Sequence, residues 1–456
     1  MAKVAILGAG ISGLTTAWYL KKKYPEITLD IFEKEARAGG NIRSISLGGH
    51  ITELGPRGIR PKGKGKYFLQ LVQELGLQDQ LIQANPAAKK RYLYMDGKLE
   101  KLPSGPFGIF GSKPLKGWWK ALRKEFMDNV PASTSQEETV YEFAERRFGS
   151  HLADTLADPF FTGIYAGDIR KLSAPAVIPH MLEYEEKYGS VVKGFLAEPT
   201  EEPEVERSFG GLEKASLLTL RGGMEELCDR LADELSQNLR LETTISDLAP
   251  LLSSYDKVIS TLPAYILAGM VDEPLRTCLQ AVEYAPIAVV ALNFNEKLEV
   301  PEGFGYLVAS NQKQPILGCI FNDQTFPELS ANKGASFTVM IGGSMMKDFF
   351  RYTREDFLSI ARETLAVHLK NTRFRVPDAS FVQVWPQAIP QYNTGHLQIL
   401  EAIKKETKAT KLVVSGNFVS GIALSDCIRH GTLLADSLFG DSPSADLQFA
   451  DSPELE

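Results

Sequence analysis

The sequence predicts a multidomain α/β and α+β protein built around a Rossmann-like nucleotide-binding domain made of discontinuous segments. Three observations predict it. Residues 4–33 run from an apolar strand through a glycine-rich turn and a helix to a second strand that ends on an acid. Residues 411–439, KLVVSGNFVSGIALSDCIRHGTLLADSLF, repeat the order strand, glycine turn, long helix at the far end. Between about 284 and 345, runs such as AVVALNF and SFTVMIGG read as the extended chain of a second sheet. A chain that opens and closes with such a unit is what a cofactor domain looks like when other domains are inserted between its pieces.

The first unit carries the most chemistry. Val4 to Leu7 reads as a buried parallel strand, and Gly8-Ala9-Gly10-Ile11-Ser12-Gly13 follows at once. Gly8 permits the tight turn, Gly10 lets a pyrophosphate approach the backbone, and Gly13 lets the helix pack close to the strand. A helical pattern from Leu14 to about Lys23 then aims unpaired N–H groups and a positive dipole end at the phosphates. The strand Thr28–Phe32 ends at Glu33, twenty residues after Gly13, where a carboxylate accepts hydrogen bonds from an adenosine ribose. The segment binds a dinucleotide.

Further along, GGHITELGPRGIRPKGKGK is too rich in Gly and Pro for regular structure, and Tyr67–Leu75 is helical, closing at Gly76. Residues 103–120 form a loop-like, aromatic stretch. Helical patterns dominate from Glu137 to about Gly194, interrupted at Gly163, Gly167, Pro175 and Pro179. Residues 197–207, with five glutamates and two prolines, read as an exposed connection. A further helix begins after Leu220-Arg221-Gly222-Gly223-Met224, and residues 257–261 form a short strand. The last sixteen residues, 441–456, look like a disordered tail.

Composition narrows the function. A chain of 456 residues has room for two or three domains with large cores. A net charge of −7 argues against nucleic acid as a partner. Cys228, Cys278, Cys319 and Cys427 are widely spaced, with no CxxC pair, which fits free thiols in a reducing, cytoplasmic compartment. The six histidines show no ligand spacing, so no metal site is expected. No apolar run is long enough for a transmembrane helix, leaving surface attachment open.

Three features favour FAD over NAD. Ala38-Gly39-Gly40-Asn41-Ile42-Arg43 follows the acidic strand end closely, with glycines for backbone approach and an arginine for the pyrophosphate. Gly416 and Gly421 flank the start of the last helix, whose N–H groups at Ile422, Ala423 and Leu424 can meet the flavin end or the second phosphate. No second GxGxxG offers a nicotinamide site, so electrons leave to oxygen or a quinone.

The combination of GAGISGL, Glu33, GGNIRS and above all ELGPRGIRP (residues 53–61) closely resembles the protoporphyrinogen oxidase family, FAD enzymes of the monoamine oxidase and phytoene desaturase superfamily. The resemblance continues in KRYLY (90–94), LRGG (220–223), VISTLP (258–263), GFGYL (303–307), TVMIGG (338–343), IPQY (389–392) and GIALSDCI (421–428), spanning nearly the whole chain. It implies that Gly8 to Gly13 with Glu33 and Lys34 hold the ADP half of FAD. Gly40, Asn41, Arg43 and Gly55, Pro56, Arg57 and Gly58 then line its middle and flavin end. Ile245 falls near the adenine, and Trp385 with Ile422, Ala423 and Leu424 falls near the isoalloxazine and phosphates. For substrate, Arg91 matches an arginine that pairs with a propionate, and Phe304, Leu307 and Met340 match apolar positions that sandwich the macrocycle. The role of Tyr306 stays open, and no catalytic acid or base is assigned.

The resemblance further implies an FAD-binding domain of residues 1–69, 205–267 and 388–440, and a mixed-sheet substrate domain of 70–85 and 268–387. It also implies an inserted helical membrane-binding domain of 86–204, peripheral membrane attachment, a homodimer and molecular oxygen as acceptor. Phe107, Ile109, Phe110, Trp118 and Trp119 beside Lys113, Lys116 and Lys120 suit an interfacial anchor. The expected reaction is six-electron oxidation of protoporphyrinogen IX to protoporphyrin IX in haem biosynthesis. Coproporphyrinogen III is the nearest rival substrate, with Lys89, Lys90 and Arg60 available for its additional carboxylates. An amine oxidase and a non-catalytic flavin-bearing tetrapyrrole carrier are the remaining alternatives.

Overall fold

The computed structural model describes residues 1–103, 112–127, 130, 137–198, 209–331 and 334–439. Its nucleotide-binding unit is a five-stranded sheet in the order Leu412–Val414, Lys257–Ser260, Lys3–Leu7, Thr28–Phe32, Leu239–Arg240, with every pair parallel. The central strand is covered on both faces, which is why it reads as an unbroken apolar run. Val4 and Ile6 pack into one core and Ala5 and Leu7 into the other. The first and last helices, Ile11–Lys23 and Leu424–Ser437, lie together on one face. Gly431 makes that approach possible, since a Cβ there would sit 3.1 Å from Thr15 Cβ. Two ends of the chain thus build one unit, as the sequence pattern indicated.

The second sheet has seven strands, ordered Ala379–Pro390, Tyr284–Phe294, Ala335–Gly342, Gly318–Phe321, Gly305–Val308, Arg91–Met95, Lys98–Lys101. It is mixed: only Gly305–Val308 with Arg91–Met95 runs parallel. One face packs on the helix Arg354–His368 over a phenylalanine-rich core that includes Phe294, Phe321, Phe337 and Phe357. The other face looks toward a helical segment made of Trp118–Met127, Val140–Phe148, Asp158–Tyr165, Pro179–Tyr188 and Val191–Ala197.

Several expectations move. The helix expected from Leu14 begins at Ile11. The glycine-rich stretch expected to be irregular opens with the second strand of a hairpin, His50–Glu53 against Ser44–Leu47, in which His50, Thr52 and Glu53 are buried. Gly163 does not interrupt its helix, whereas the breaks expected at Gly167, Pro175 and Pro179 are present, the prolines standing in the first turns of new helices, where a missing N–H costs nothing. Trp118 and Trp119 start a helix rather than lie in a loop. The domain boundaries shift too. Residues 91–101 pair into the seven-stranded sheet instead of the helical segment, and the strand Ala379–Pro390 crosses the expected break at 388. Leu71, Val72, Leu75 and Leu81 pack in the core of the nucleotide-binding unit, not with the substrate sheet. Phe107, Ile109, Phe110, residues 199–207 of the acidic connection and the tail 441–456 lie outside the described residues.

Candidate active site

The nucleotide turn is built by backbone geometry. Gly8 adopts φ +95° and donates its N–H to the Phe32 carbonyl at 2.9 Å. Gly13 sits so close that a Cβ would lie 2.0 Å from the Gly8 carbonyl oxygen. At Gly10 the opposite holds, for a Cβ would meet nothing within 4 Å. The helix Ile11–Lys23 has no side-chain cap and no acid in its first turn, so the N–H groups of Ile11, Ser12 and Gly13 face this open space. The Gly39 N–H donates to the Ala9 carbonyl at 2.8 Å, and a Cβ on Gly40 would lie 3.3 Å from Gly10 Cα. These two loops therefore form one cradle.

Glu33 is buried at the end of its strand and accepts from the Ala9 N–H at 2.8 Å and the Glu35 N–H at 3.0 Å. Lys34 is exposed and pairs with Glu35. The Thr243 N–H donates to the Glu33 carbonyl at 2.8 Å, which carries Ile245 to this same end. Asn41 and Arg43 continue from the cradle, and Gly55 packs on them: a Cβ there would lie 2.0 Å from the Asn41 carbonyl oxygen. Trp385 Nε1 donates to the Leu54 carbonyl at 2.8 Å, so the indole and Gly55 to Gly58 are held together. Ile422, Ala423 and Leu424 follow Gly421 at the start of the last helix, but not all their N–H groups are free. The Asp426 carboxylate accepts from the Ala423 N–H at 3.3 Å and pairs with part-buried Lys64 at 2.9 Å.

Beyond the cradle, a cavity of about 630 Å³ opens between the seven-stranded sheet and the helical segment. That volume is in the range that encloses a small organic ligand. Arg91, Phe304, Leu307 and Met340 all line it, as does Arg57, so the four expected substrate residues converge on one space. The Arg91 guanidinium lies 5.4 Å from the Phe304 ring centroid. Burial, then the charge of Arg60, pulls the Arg91 pKa down. Burial also pulls Arg57 down, partly offset by Glu53. Glu53 is itself pushed up to about 7 by burial, although it accepts from the Met224 N–H and the Ser44 hydroxyl, both at 2.7 Å. The rest of the lining is mostly apolar, with Tyr92 and Cys319 among it.

The far wall was not anticipated from sequence. Phe161, Gly163, Ile164 and Met181 supply it, and a Cβ on Gly163 would lie 2.9 Å from Leu307 Cδ2. Gly163, read from sequence as a break, was the available signal: a glycine kept inside a helix marks a close approach. Tyr306 is resolved as well. Its side chain enters the core on the opposite face of the strand, where its hydroxyl meets His368 Nδ1 at 3.0 Å.

The family model described as flavin containing amine oxidoreductase matches residues 11–438. The chain belongs to that family. It is 32% identical to the human protoporphyrinogen oxidase over 97% of this chain and 99% of that protein. It is 26% identical to the coproporphyrinogen III oxidase of Staphylococcus aureus, over 96% and 99% respectively. Among solved structures, an Exiguobacterium protein provisionally named protoporphyrinogen oxidase superposes with a TM-score of 0.80 at 21% identity, covering 96% of this chain and 98% of that one. Cyclohexylamine oxidase from Brevibacterium oxydans superposes at 0.68 with 18% identity, covering 96% and 98%. The protein is a flavoprotein oxidoreductase and its cofactor is FAD. The residues fit that group: the open side of Gly10, the uncapped helix start and the buried acid at Glu33 offer space, N–H donors and an acceptor in the order a dinucleotide needs.

Proposed function

We propose that this protein oxidises protoporphyrinogen IX to protoporphyrin IX in haem biosynthesis, with oxygen as the electron acceptor. The cavity carries the proposal: an apolar slot of macrocycle size, with Arg91 beside Phe304 at one side, opening next to the segments assigned to FAD. FAD supplies two-electron acceptance, so loss of six hydrogens takes three rounds with reoxidation after each. The chain's own residues bind and orient. Arg91 holds one propionate through charge-assisted hydrogen bonds. Phe304, Leu307 and Met340 press the flat ring in place, and the helical wall keeps water from it. The names of the relatives support the same substrate class.

We further propose peripheral membrane attachment through the helical segment, and a homodimer. The helix Trp118–Met127 turns Trp119, Leu122, Phe126 and Met127 outward and Glu125 inward, the reverse of a soluble helix. Phe195 and Leu196 are exposed on the helix Val191–Ala197, and Lys113, Lys116 and Lys120 flank the apolar face. Such a surface suits the headgroup region of an anionic bilayer. No helix among the described residues is long and apolar enough to cross a membrane.

Coproporphyrinogen III is the second reading, favoured by one observation: a second arginine, Arg57, lines the cavity together with Arg91. Purified yellow protein mixed separately with the two porphyrinogens, against a no-enzyme control, tests both readings through porphyrin fluorescence and peroxide. Rapid turnover of the first alone is the expected result. Preference for the second moves the protein to the coproporphyrin branch, and turnover of neither overturns the porphyrinogen assignment.

A further inference from the structure

Tyr392 is fully shielded at the end of IPQY, just past the strand Ala379–Pro390. Its hydroxyl donates to the Asn417 carbonyl at 2.5 Å and accepts from the Gly421 N–H at 2.9 Å. Those partners lie at the two ends of a single helical turn, Asn417–Ser420, set between Gly416 at φ +106° and Gly421 at φ +107°. The next residues are Ile422, Ala423 and Leu424, assigned to the flavin. His396 supports the turn from the same side. Its ring stacks on Tyr392 at 4.2 Å, and Nε2 donates to the Phe418 carbonyl at 2.9 Å.

On its other side Tyr392 meets the helical segment. Its ring packs against Tyr165 at 5.7 Å between centroids, and its carbonyl accepts from the Ser173 N–H at 2.8 Å. The preceding Gln391 donates from Nε2 to the Tyr165 carbonyl at 2.8 Å, and a Cβ on Gly167 would lie 2.5 Å from its side-chain oxygen. Tyr165 ends the helix Asp158–Tyr165, whose Phe161, Gly163 and Ile164 form the far wall of the cavity. One side chain therefore touches both the helix that supplies the cavity wall and the flavin turn.

We infer that Tyr392 is a positioning residue that fixes the flavin-facing turn Gly416–Gly421 relative to the helical wall of the substrate cavity. The inference rests on the assignment of residues 422–424 to FAD. An aromatic ring alone would fill the space. The hydroxyl matters because it bonds the part-buried Asn417 carbonyl and the buried Gly421 N–H at once, which a bare ring cannot do.

Tyr392→Phe removes only the hydroxyl and keeps the ring stack, so the holoenzyme variant is the test. We expect about tenfold weaker FAD binding, a shifted flavin midpoint potential, and a lower kcat with KM for porphyrinogen unchanged. A folded variant with wild-type FAD affinity, potential and kcat overturns the role. If the variant does not fold, hydrogen exchange on wild-type holoenzyme decides. Residues 416–424 should gain protection when product porphyrin fills the cavity, and unchanged exchange overturns the coupling. Wild-type turnover measured alongside separates two failures. Normal Tyr392→Phe beside an active wild type removes only the positioning role. Loosened FAD beside a wild type inactive on porphyrinogens keeps that role and removes the substrate assignment.

Discussion

Glu125 Oε1 and Arg147 Nη2 face each other at 2.7 Å with both side chains fully shielded, directly beneath a helix face that turns Trp119 and Phe126 to the outside. The contact is an ion pair without an aligned hydrogen bond, for Glu125 Oε1 has no well-directed donor. The other oxygen of Glu125 accepts from the Ser190 hydroxyl at 2.8 Å and the Val192 N–H at 3.2 Å. Glu125 thus ties the two helices that carry the exposed apolar residues to one buried cation.

Removing Glu125 takes away one of the two carboxylates that face the shielded Arg147 guanidinium, Glu185 being the other. Glu125→Ala should lower stability by roughly 1.5–3 kcal/mol. A double change to apolar residues of similar size, Glu125→Leu with Arg147→Met, should be markedly less harmful. Thermal melts of the three proteins check this, and a single variant within about 1 kcal/mol of wild type contradicts it.

Gly10 and Gly13 should separate cofactor binding from folding. Gly10 has φ −73°, ordinary for any residue, and its Cβ would enter open space, so Gly10→Ala should fold normally and lose FAD. Gly13→Ala puts a carbon 2.0 Å from a backbone oxygen and should damage the fold itself. Circular dichroism and bound-flavin absorbance on both variants give the readout. A yellow Gly10→Ala protein counts against the phosphate cradle.

Arg91→Ala should cut kcat/KM for the porphyrinogen by about 10–100-fold, chiefly through KM, as expected for loss of a charged hydrogen bond. Arg91→Lys should recover part of it, because the charge survives while the planar fork does not. Steady-state kinetics with FAD content monitored would expose a different role if kcat alone changed.

Burial lowers the His396 pKa to about 4, well below its ordinary 6.5, so the folded protein holds the ring neutral. The stability this contributes is complete above pH 6.5 and drains as pH falls toward 4, amounting to about 2 kcal/mol lost by pH 5. Glu53 acts oppositely: raised to about 7 by burial, it resists ionisation in the fold and costs stability as pH rises from 4.5 to 7. Comparing melts of wild type and His396→Asn between pH 7 and pH 5 isolates the histidine. The variant should lose less stability over that interval, and parallel curves would refute the assignment.

The nucleotide-binding unit was legible in the sequence because each of its requirements is local. A strand buried on both faces must be apolar, a tight turn with φ near +95° wants Gly8, and Gly13 must lack a Cβ. The matching unit at residues 411–439 was legible for the same reason. Arg91, Phe304, Leu307 and Met340 were named through resemblance, and their convergence on one cavity follows from sheet register. Gly305–Val308 pairs with Arg91–Met95 across some two hundred residues of chain, and Gly318–Phe321 pairs with Ala335–Gly342 to bring in Met340.

What the sequence could not decide were the features that exist only between distant elements. Alternation along Gly305–Val308 sends Leu307 into the cavity and Tyr306 into the core, but only the pairing partner fixes which face is which. Residues 91–101 looked like the threshold of a helical segment, yet hydrogen bonds to a strand far along the chain claimed them for the sheet. Glu125 reads as a surface charge until Arg147 covers it, and Tyr392 reads as one more aromatic until Asn417 and Gly421 close on its hydroxyl. Local backbone chemistry is written residue by residue, whereas burial and partnership depend on which remote surfaces meet, and that was decided by the tertiary structure alone.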